Sequence, residues 1–244
     1  MKIIAITQAR YGSSRLRGKV LEKVAGKELL TIHLERAKRS KKIEKLIVAT
    51  TDEPEAHRIV QLAMENKCGV YRGSLTDVLD RYYQAAKKEA PDYVVRITSD
   101  CPLIDAEIID EIIDCCIRGG FDYCSNTLHR TFPDGEDVEI FRFIALERAW
   151  KEAVLQSDRE HVTPYIWRNS TVNGRSIFTS YNYSTDEDFS GIRITVDEPA
   201  DLQLIQRLIL ALGDDKGWKD YVHFLMKNPE VMDINAHIKG KKIL

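Results

Sequence analysis

The 244-residue chain has almost no net charge, since 36 basic side chains face 38 acidic ones and leave −2 at pH 7. It therefore lacks the global positive field that would hold nucleic acid against salt. Cysteine is sparse and scattered. Cys68, Cys101, Cys115, Cys116 and Cys124 are odd in number and include no pair of pairs at metal spacing, so they read as reduced thiols. Cys115 and Cys116 fall in an apolar helical pattern, where a thiol behaves as a small buried hydrophobe. No apolar run approaches the roughly 18 residues of a membrane span, and the N-terminus has neither the long apolar region nor the cleavage site of a signal peptide. A cytoplasmic location is expected. Repeats, low-complexity tracts and flexible linkers are also missing. With 43% hydrophobic residues, the chain can bury the core of one large α/β domain spanning 1–244.

What the chain does have is a concentration of cations near its start. Gln8 to Lys19 holds Arg10, Arg15, Arg17 and Lys19 with no acid among them, directly after the apolar run 2–7. A local cluster of this kind suits a small polyphosphate. It is not a Walker loop, because five residues separate Gly12 from Gly18 and Val20 follows Lys19. Backbone N–H groups around Gly12 and Ser13 can still curl round phosphate oxygens, with Arg10, Arg15 and Lys19 adding charge-assisted contacts. The plain alternative is a solvated basic loop.

The run 2–7 reads as a parallel strand buried on both faces. A helix over about 28–40, a strand at 45–50 and a helix from Pro54 to about 65 follow, then a strand at 69–71, a helix capped near Thr76 and reaching Lys88, a strand at 93–98 and a helix over about 106–118. This alternation predicts an α/β fold with a mostly parallel, doubly wound, Rossmann-like sheet. After Phe121 the rhythm changes. Residues 121–190 read as an inserted cap on the acceptor side, with a strand near 175–183. Strand character returns at 192–197, a helix covers 200–212, and one or two packing helices end the chain.

Two carboxylates stand where strands are predicted to end. Asp100 lies in Thr98-Ser99-Asp100-Cys101-Pro102, where Pro102 keeps Cys101 out of helical geometry, and Asp197 lies in Thr195-Val196-Asp197-Glu198-Pro199. Each has a capping alternative, and for Asp105 helix capping is the preferred reading. Asp100 and Asp197 together can hold one Mg²⁺ beside a bound triphosphate, with phosphate oxygens and water completing its shell. The α phosphorus then lies open to an acceptor hydroxyl. Asp100 or a metal-bound water is the candidate proton acceptor.

The stretches Gln8 to Lys19, Gly73 to Tyr83, Arg96 to Asp105, Ser125 to Thr127, Phe132 to Gly135, Arg159 to Tyr165 and Thr195 to Asp201 together resemble the cytidylyltransferase family of CMP-sialic acid and CMP-Kdo synthetases, and within it the spore-coat polysaccharide branch. The resemblance implies a single domain of the nucleotide-diphospho-sugar transferase type. It also implies CTP with Mg²⁺, and transfer of CMP to an acid-sugar hydroxyl with loss of pyrophosphate. It places the loop cations of the family on Arg10, Arg15 and Lys19, and its metal ligands on Asp100 and Asp197. The chain departs at Arg17, where many relatives have proline, which adds charge and backbone freedom to the loop.

For the nucleoside, Ala9, Arg72, Gly73, Ser74 and Asp77 lie in loops from neighbouring strand ends, with helix capping an equal alternative for 74–77. For the acceptor, the inserted region offers Asn126, Asp134, Asp137, Glu139, Arg159 and His161, with Arg159 or Arg130 suited to a carboxylate. The expected partners are CTP and a small acidic sugar, with neither nucleic acid nor membrane, and a homodimer is possible. Two other functions fit the same motifs: a sugar-1-phosphate nucleotidylyltransferase using another nucleotide, and a non-catalytic nucleotide-binding regulator.

Overall fold

A computed structural model of the chain describes residues 1–13 and 15–238; Ser14 of the cationic loop and residues 239–244 lie outside the described residues. Strand β1 (Ile3–Gln8) is followed by the short hairpin β2 (Lys23–Val24) and β3 (Lys27–Glu28), then helix α1 (Leu29–Ala37). Next come β4 (Lys45–Thr51), α2 (His57–Glu65), β5 (Gly69–Gly73), α3 (Val78–Lys87), β6 (Tyr93–Thr98) and α4 (Ala106–Gly119). Two short strands, β7 (Tyr123–Ser125) and β8 (Glu139–Arg142), precede α5 (Phe143–Glu152), α6 (Gln156–His161) and α7 (Pro164–Arg168). Strand β9 (Ser180–Asn182) and helices α8 (Pro199–Leu212), α9 (Trp218–Lys227) and α10 (Pro229–Met232) complete the order.

The central sheet runs β5-β4-β1-β6-β8-β7-β9. Parallel pairing joins β5, β4, β1 and β6, while β8 runs antiparallel to both β6 and β7. The α/β, mostly parallel fold is as the sequence predicts. Residues 121–190 contribute β7, β8 and β9 to this same sheet, as well as the helices α5 to α7.

Alternate residues of the inner strands feed two separate cores. Ile3, Ala5, Val48, Val95 and Ile97 pack on one face with Leu30, Ile59, Ile109, Ile205 and Tyr221. Ile4, Ile6, Ala49 and Val94 pack on the other with Leu79, Tyr82, Phe141, Leu146 and Ile166. Each fully buried isoleucine contributes about 1.5–3 kcal/mol relative to exposure. This two-sided burial is why β1 reads as an unbroken apolar run rather than an alternating one.

The expected strand at 192–197 is not one. Asp134 and Arg193 form an isolated bridge, and the amides of the segment go to loops: Ile194 N–H to the Asp134 carbonyl at 2.7 Å and Val196 N–H to the Asp100 carbonyl at 2.8 Å. The segment is extended, but two turns flank it in place of a neighbouring strand. Its backbone fits because Gly135, at φ +128°, leaves no side chain against it; a Cβ there would stand 2.8 Å from the Ile194 carbonyl carbon.

Chain order places a switch point between β1 and β6, since β4 and β5 build outward on one side of β1 before the chain crosses to the other. Ligands of doubly wound sheets bind in the crevice outside such a point.

Gly135→Ala should destabilise the protein more than Gly174→Ala, which sits at φ +68° with open space around it. Urea unfolding should show about 1–2 kcal/mol for the second substitution and a larger loss for the first. Equal losses would mean that approach to Ile194 does not matter.

Candidate active site

The loop after β1 is held by its own backbone. The Tyr11 carbonyl accepts from Ser13 N–H at 2.9 Å and Gly18 N–H at 2.8 Å, and Gly18 takes the left-handed conformation at φ 71°. A Cβ on Gly18 would stand 2.9 Å from the Tyr11 ring. The Arg17 guanidinium lies over that ring, 5.3 Å from its centroid. The pair forms a cation–π brace that stiffens the loop.

The turn at Gly18 delivers Lys19 inward. Its ammonium, almost wholly buried, donates to the Val196 carbonyl at 2.7 Å, Asp197 Oδ1 at 2.9 Å and Asp100 Oδ2 at 3.1 Å. Burial opposes the charge on Lys19, but Asp100 and Asp197 outweigh it and raise the pKa above that of an ordinary lysine. Burial likewise works against the charge on Asp100, yet Lys19 and the Thr98 hydroxyl hold its pKa well below the usual carboxylate range. Arg15 closes the cluster from outside, 2.8 Å from Asp197 Oδ2 and 3.5 Å from Glu198 Oε1.

The predicted Arg15, Lys19, Asp100 and Asp197 therefore meet at the switch point. Arg10 is exposed and makes no ion pair with the described residues. Among those residues no three metal-ligating side chains form a group. What exists is a pair of hard carboxylates converging on one cation, a donor set that fits a divalent ion only if a ligand's oxygens complete it.

Behind the cluster stands Arg193, absent from the sequence reading. It bonds to Asp134 at 2.6 Å, Asp197 at 3.0 Å and both oxygens of the fully buried Asp201 at 2.9 Å. Asp201 in turn accepts from the amides of Asp197 and Glu198, so Asp197 is positioned by the start of α8 and is not its cap. His33 on α1 is also absent from that reading. Its Nδ1 lies 2.9 Å from the Cys101 carbonyl, and burial pulls its pKa down to about 4, so it braces the Asp100 turn as a neutral ring.

A cavity of about 740 Å³ opens beside Arg193 and is lined by Asp134, Asp137, Glu139, His161 and Arg130 of the expected acceptor residues, with Arg96. Its arginines already have partners. Arg130 is bidentate to Asp137 at 3.0 and 2.8 Å, and Arg96 pairs with Glu139, which also accepts from the Tyr123 hydroxyl at 2.6 Å. Burial pushes Asp137 up to about 6 despite Arg130.

Other expected residues lie elsewhere. Asn126 is buried, with its side chain spent on the Glu136 carbonyl and the Val138 amide, and it does not line the cavity. Arg159 grips Asp77, with its Nη2 2.5 Å from Oδ2, and so leaves the acceptor set for the first turn of α3. Asp77 caps α3 through the Asp80 amide, Ser74 accepts from Asp77 N–H, and Arg72 donates to the Thr51, Asp52 and Glu53 carbonyls. Ala9 is buried and Gly73 half-buried. Asp105 caps α4 through Glu107 N–H, as expected.

The mostly parallel sheet and the cationic cluster at its switch point fit a nucleotidyltransferase, the class to which the chain's relatives belong. The chain belongs to the cytidylyltransferase family, whose sequence pattern matches residues 4–234. It is 41% identical over 99% of its length to an uncharacterised protein of Methanocaldococcus jannaschii, covering 97% of that protein. It is 28% identical to the spore coat polysaccharide biosynthesis protein SpsF of Bacillus subtilis, covering 93% of this chain and 95% of that one. The solved structure of a cytidylyltransferase from Leptospira borgpetersenii superposes with a TM-score of 0.89 at 35% identity, covering 95% of this chain and 97% of the other. Among the described residues no helix is long and apolar enough to cross a membrane.

Arg193→Met should cost about 3–5 kcal/mol in urea unfolding at pH 7, because it strands buried carboxylates. Asp201 has a lowered pKa, so its contribution is complete above the unfolded value near 3.8 and fades as pH falls through the folded one. The gap between wild type and variant should therefore narrow below about pH 4. A gap independent of pH would refute the electrostatic account.

Proposed function

We propose that the protein transfers CMP from CTP to a hydroxyl of a small acidic sugar for surface polysaccharide synthesis, with Mg²⁺ held by Asp100 and Asp197. The convergence of these two carboxylates on Lys19 carries the reading. The metal, when bound, supplies positive charge to the α-phosphate oxygens. The acceptor oxygen forms its bond to the α phosphorus as the bond to the bridging oxygen breaks, and pyrophosphate leaves with the electron pair while the hydroxyl proton passes to water. We assign phosphate oxygens to Arg10 and the Gly12 amide, and to Arg15 and Lys19 where these exchange their carboxylates for phosphate; the Ser13 N–H is already given to the Tyr11 carbonyl.

Asp100 is a poor proton acceptor, because Lys19 keeps its pKa far below neutrality, so its role is charge and placement. In the cavity, Arg130 is the cation best suited to an acceptor carboxylate. Its present partner Asp137 titrates near 6 and is the carboxylate least costly to displace or protonate. Kinship with the Bacillus subtilis spore coat polysaccharide biosynthesis protein supports a role in polysaccharide synthesis.

Incubation with CTP, Mg²⁺ and a panel of acid sugars should release pyrophosphate. No release with any acceptor, together with no Mg²⁺-dependent CTP binding, would sink the proposal. Asp197→Asn keeps the shape of the side chain and should lower kcat by at least about 100-fold with the far-ultraviolet dichroism unchanged. Unaltered turnover would remove Asp197 from the site.

A further inference from the structure

Asp197 holds three cations at once. Lys19 Nζ stands 2.9 Å from its Oδ1, while Arg15 and Arg193 stand 2.8 and 3.0 Å from its Oδ2. Lys19 also takes Asp100 Oδ2 at 3.1 Å and the Val196 carbonyl at 2.7 Å. The two acids suited to a divalent ion are thus already matched by the chain's own cations. An ammonium and a metal ion seek the same oxygens, and at a few ångströms in a half-buried crevice their like charges repel too strongly to share them. Entry of a metal therefore requires Lys19 to leave.

The three cations differ in their freedom to do so. Arg193 is tied as well to Asp134 and to both oxygens of the buried Asp201, so it stays. Lys19 and Arg15 both come from the loop after β1. The backbone of Lys19 is fixed, because Val20 beside it lies in the core, Leu21 N–H reaches the Gly18 carbonyl at 2.8 Å and Glu22 N–H reaches the Lys19 carbonyl at 3.1 Å. Only its four-carbon stem can swing, and a lysine ammonium is a point charge without the fixed fork of an arginine. A polyphosphate gives Lys19 and Arg15 new oxygens while it gives oxygens to a metal. The exchange conserves charge: the anion takes over the two side chains and the metal takes over the two acids.

We infer that Lys19 is a resident counter-ion that keeps a divalent cation off Asp100 and Asp197 until a polyphosphate draws Lys19 and Arg15 onto its own oxygens. The inference rests on the cytidylyl-transfer reading and adds an order to it, with metal bound together with nucleotide and never ahead of it. Two causes of that order are separable. An acid pair that merely lacks ligands stays weak when the lysine is removed, whereas a pair blocked by its own lysine gains affinity.

Titration of Mn²⁺ followed by electron paramagnetic resonance, with no nucleotide present, tests it on the wild type, Lys19→Met, and Lys19→Met combined with Asp197→Asn. Lys19→Met should bind Mn²⁺ at least about tenfold more tightly than the wild type, within the span of ordinary coupling between ligands. Adding Asp197→Asn should abolish the gain. Equal binding by the wild type and Lys19→Met, whether tight or absent, would show that the lysine does not block the acids and would overturn the inference. So would a gain that survives Asp197→Asn. If the methionine variant does not fold, wild-type protein labelled with ¹⁵N-lysine carries the test. The signal of the buried Lys19 ammonium should hold its position in millimolar Mg²⁺ and move when CTP binds in the presence of EDTA; movement with Mg²⁺ alone, or none with CTP bound, would overturn the inference. Failure of the wild type to bind CTP even with Mn²⁺ overturns the transfer reading itself, a distinct outcome.

Discussion

One buried ammonium organises this molecule. Lys19 ties the loop after the first strand to Asp100 from the middle of the sequence and to Asp197 near its end. Without it two carboxylates would face each other in a half-buried crevice, and without them a lysine would be buried alone. Each arrangement is costly on its own, so the three groups are mutually obligatory. Arg193 extends the same logic outward, since one guanidinium holds Asp134, Asp197 and Asp201 in register and fastens the loop at 134 to the start of α8. Alternating charge of this kind makes a rigid frame whose innermost acids already stand at the spacing a cation imposes.

The frame was legible in the sequence where chemistry and local pattern coincide. A strand, a cationic loop and two aspartates just ahead of prolines are compact motifs; they pointed to Lys19, Asp100 and Asp197, which the fold brings together, and to the parallel sheet. Arg193 escaped because an arginine inside an apolar run reads as an outward-facing strand residue; only the neighbouring loop shows that it turns inward to three acids. His33 escaped because a lone histidine carries no pattern. Residues 192–197 have strand composition, but a ladder needs a strand alongside, and what lies alongside is decided by remote chain. The pairing of Arg159 with Asp77 was not legible because its partner is 82 positions away.

The cavity beside Arg193 shows how a charged pocket stays neutral. Its three arginines each meet a carboxylate, so an anionic guest must compete for them. Burial makes Asp137 the weakest competitor, whereas Glu139 is locked by both Arg96 and Tyr123. Selectivity in such a pocket comes from which pair yields.

The clamp on Lys19 also constrains how the protein is made. Its partners lie 81 and 178 positions further along the chain, so closing the longer loop costs on the order of 4–5 kcal/mol of chain entropy. During synthesis the cationic loop emerges first and waits with Lys19 unpaired. On the ribosome the clamp therefore cannot close before Asp197 has been translated.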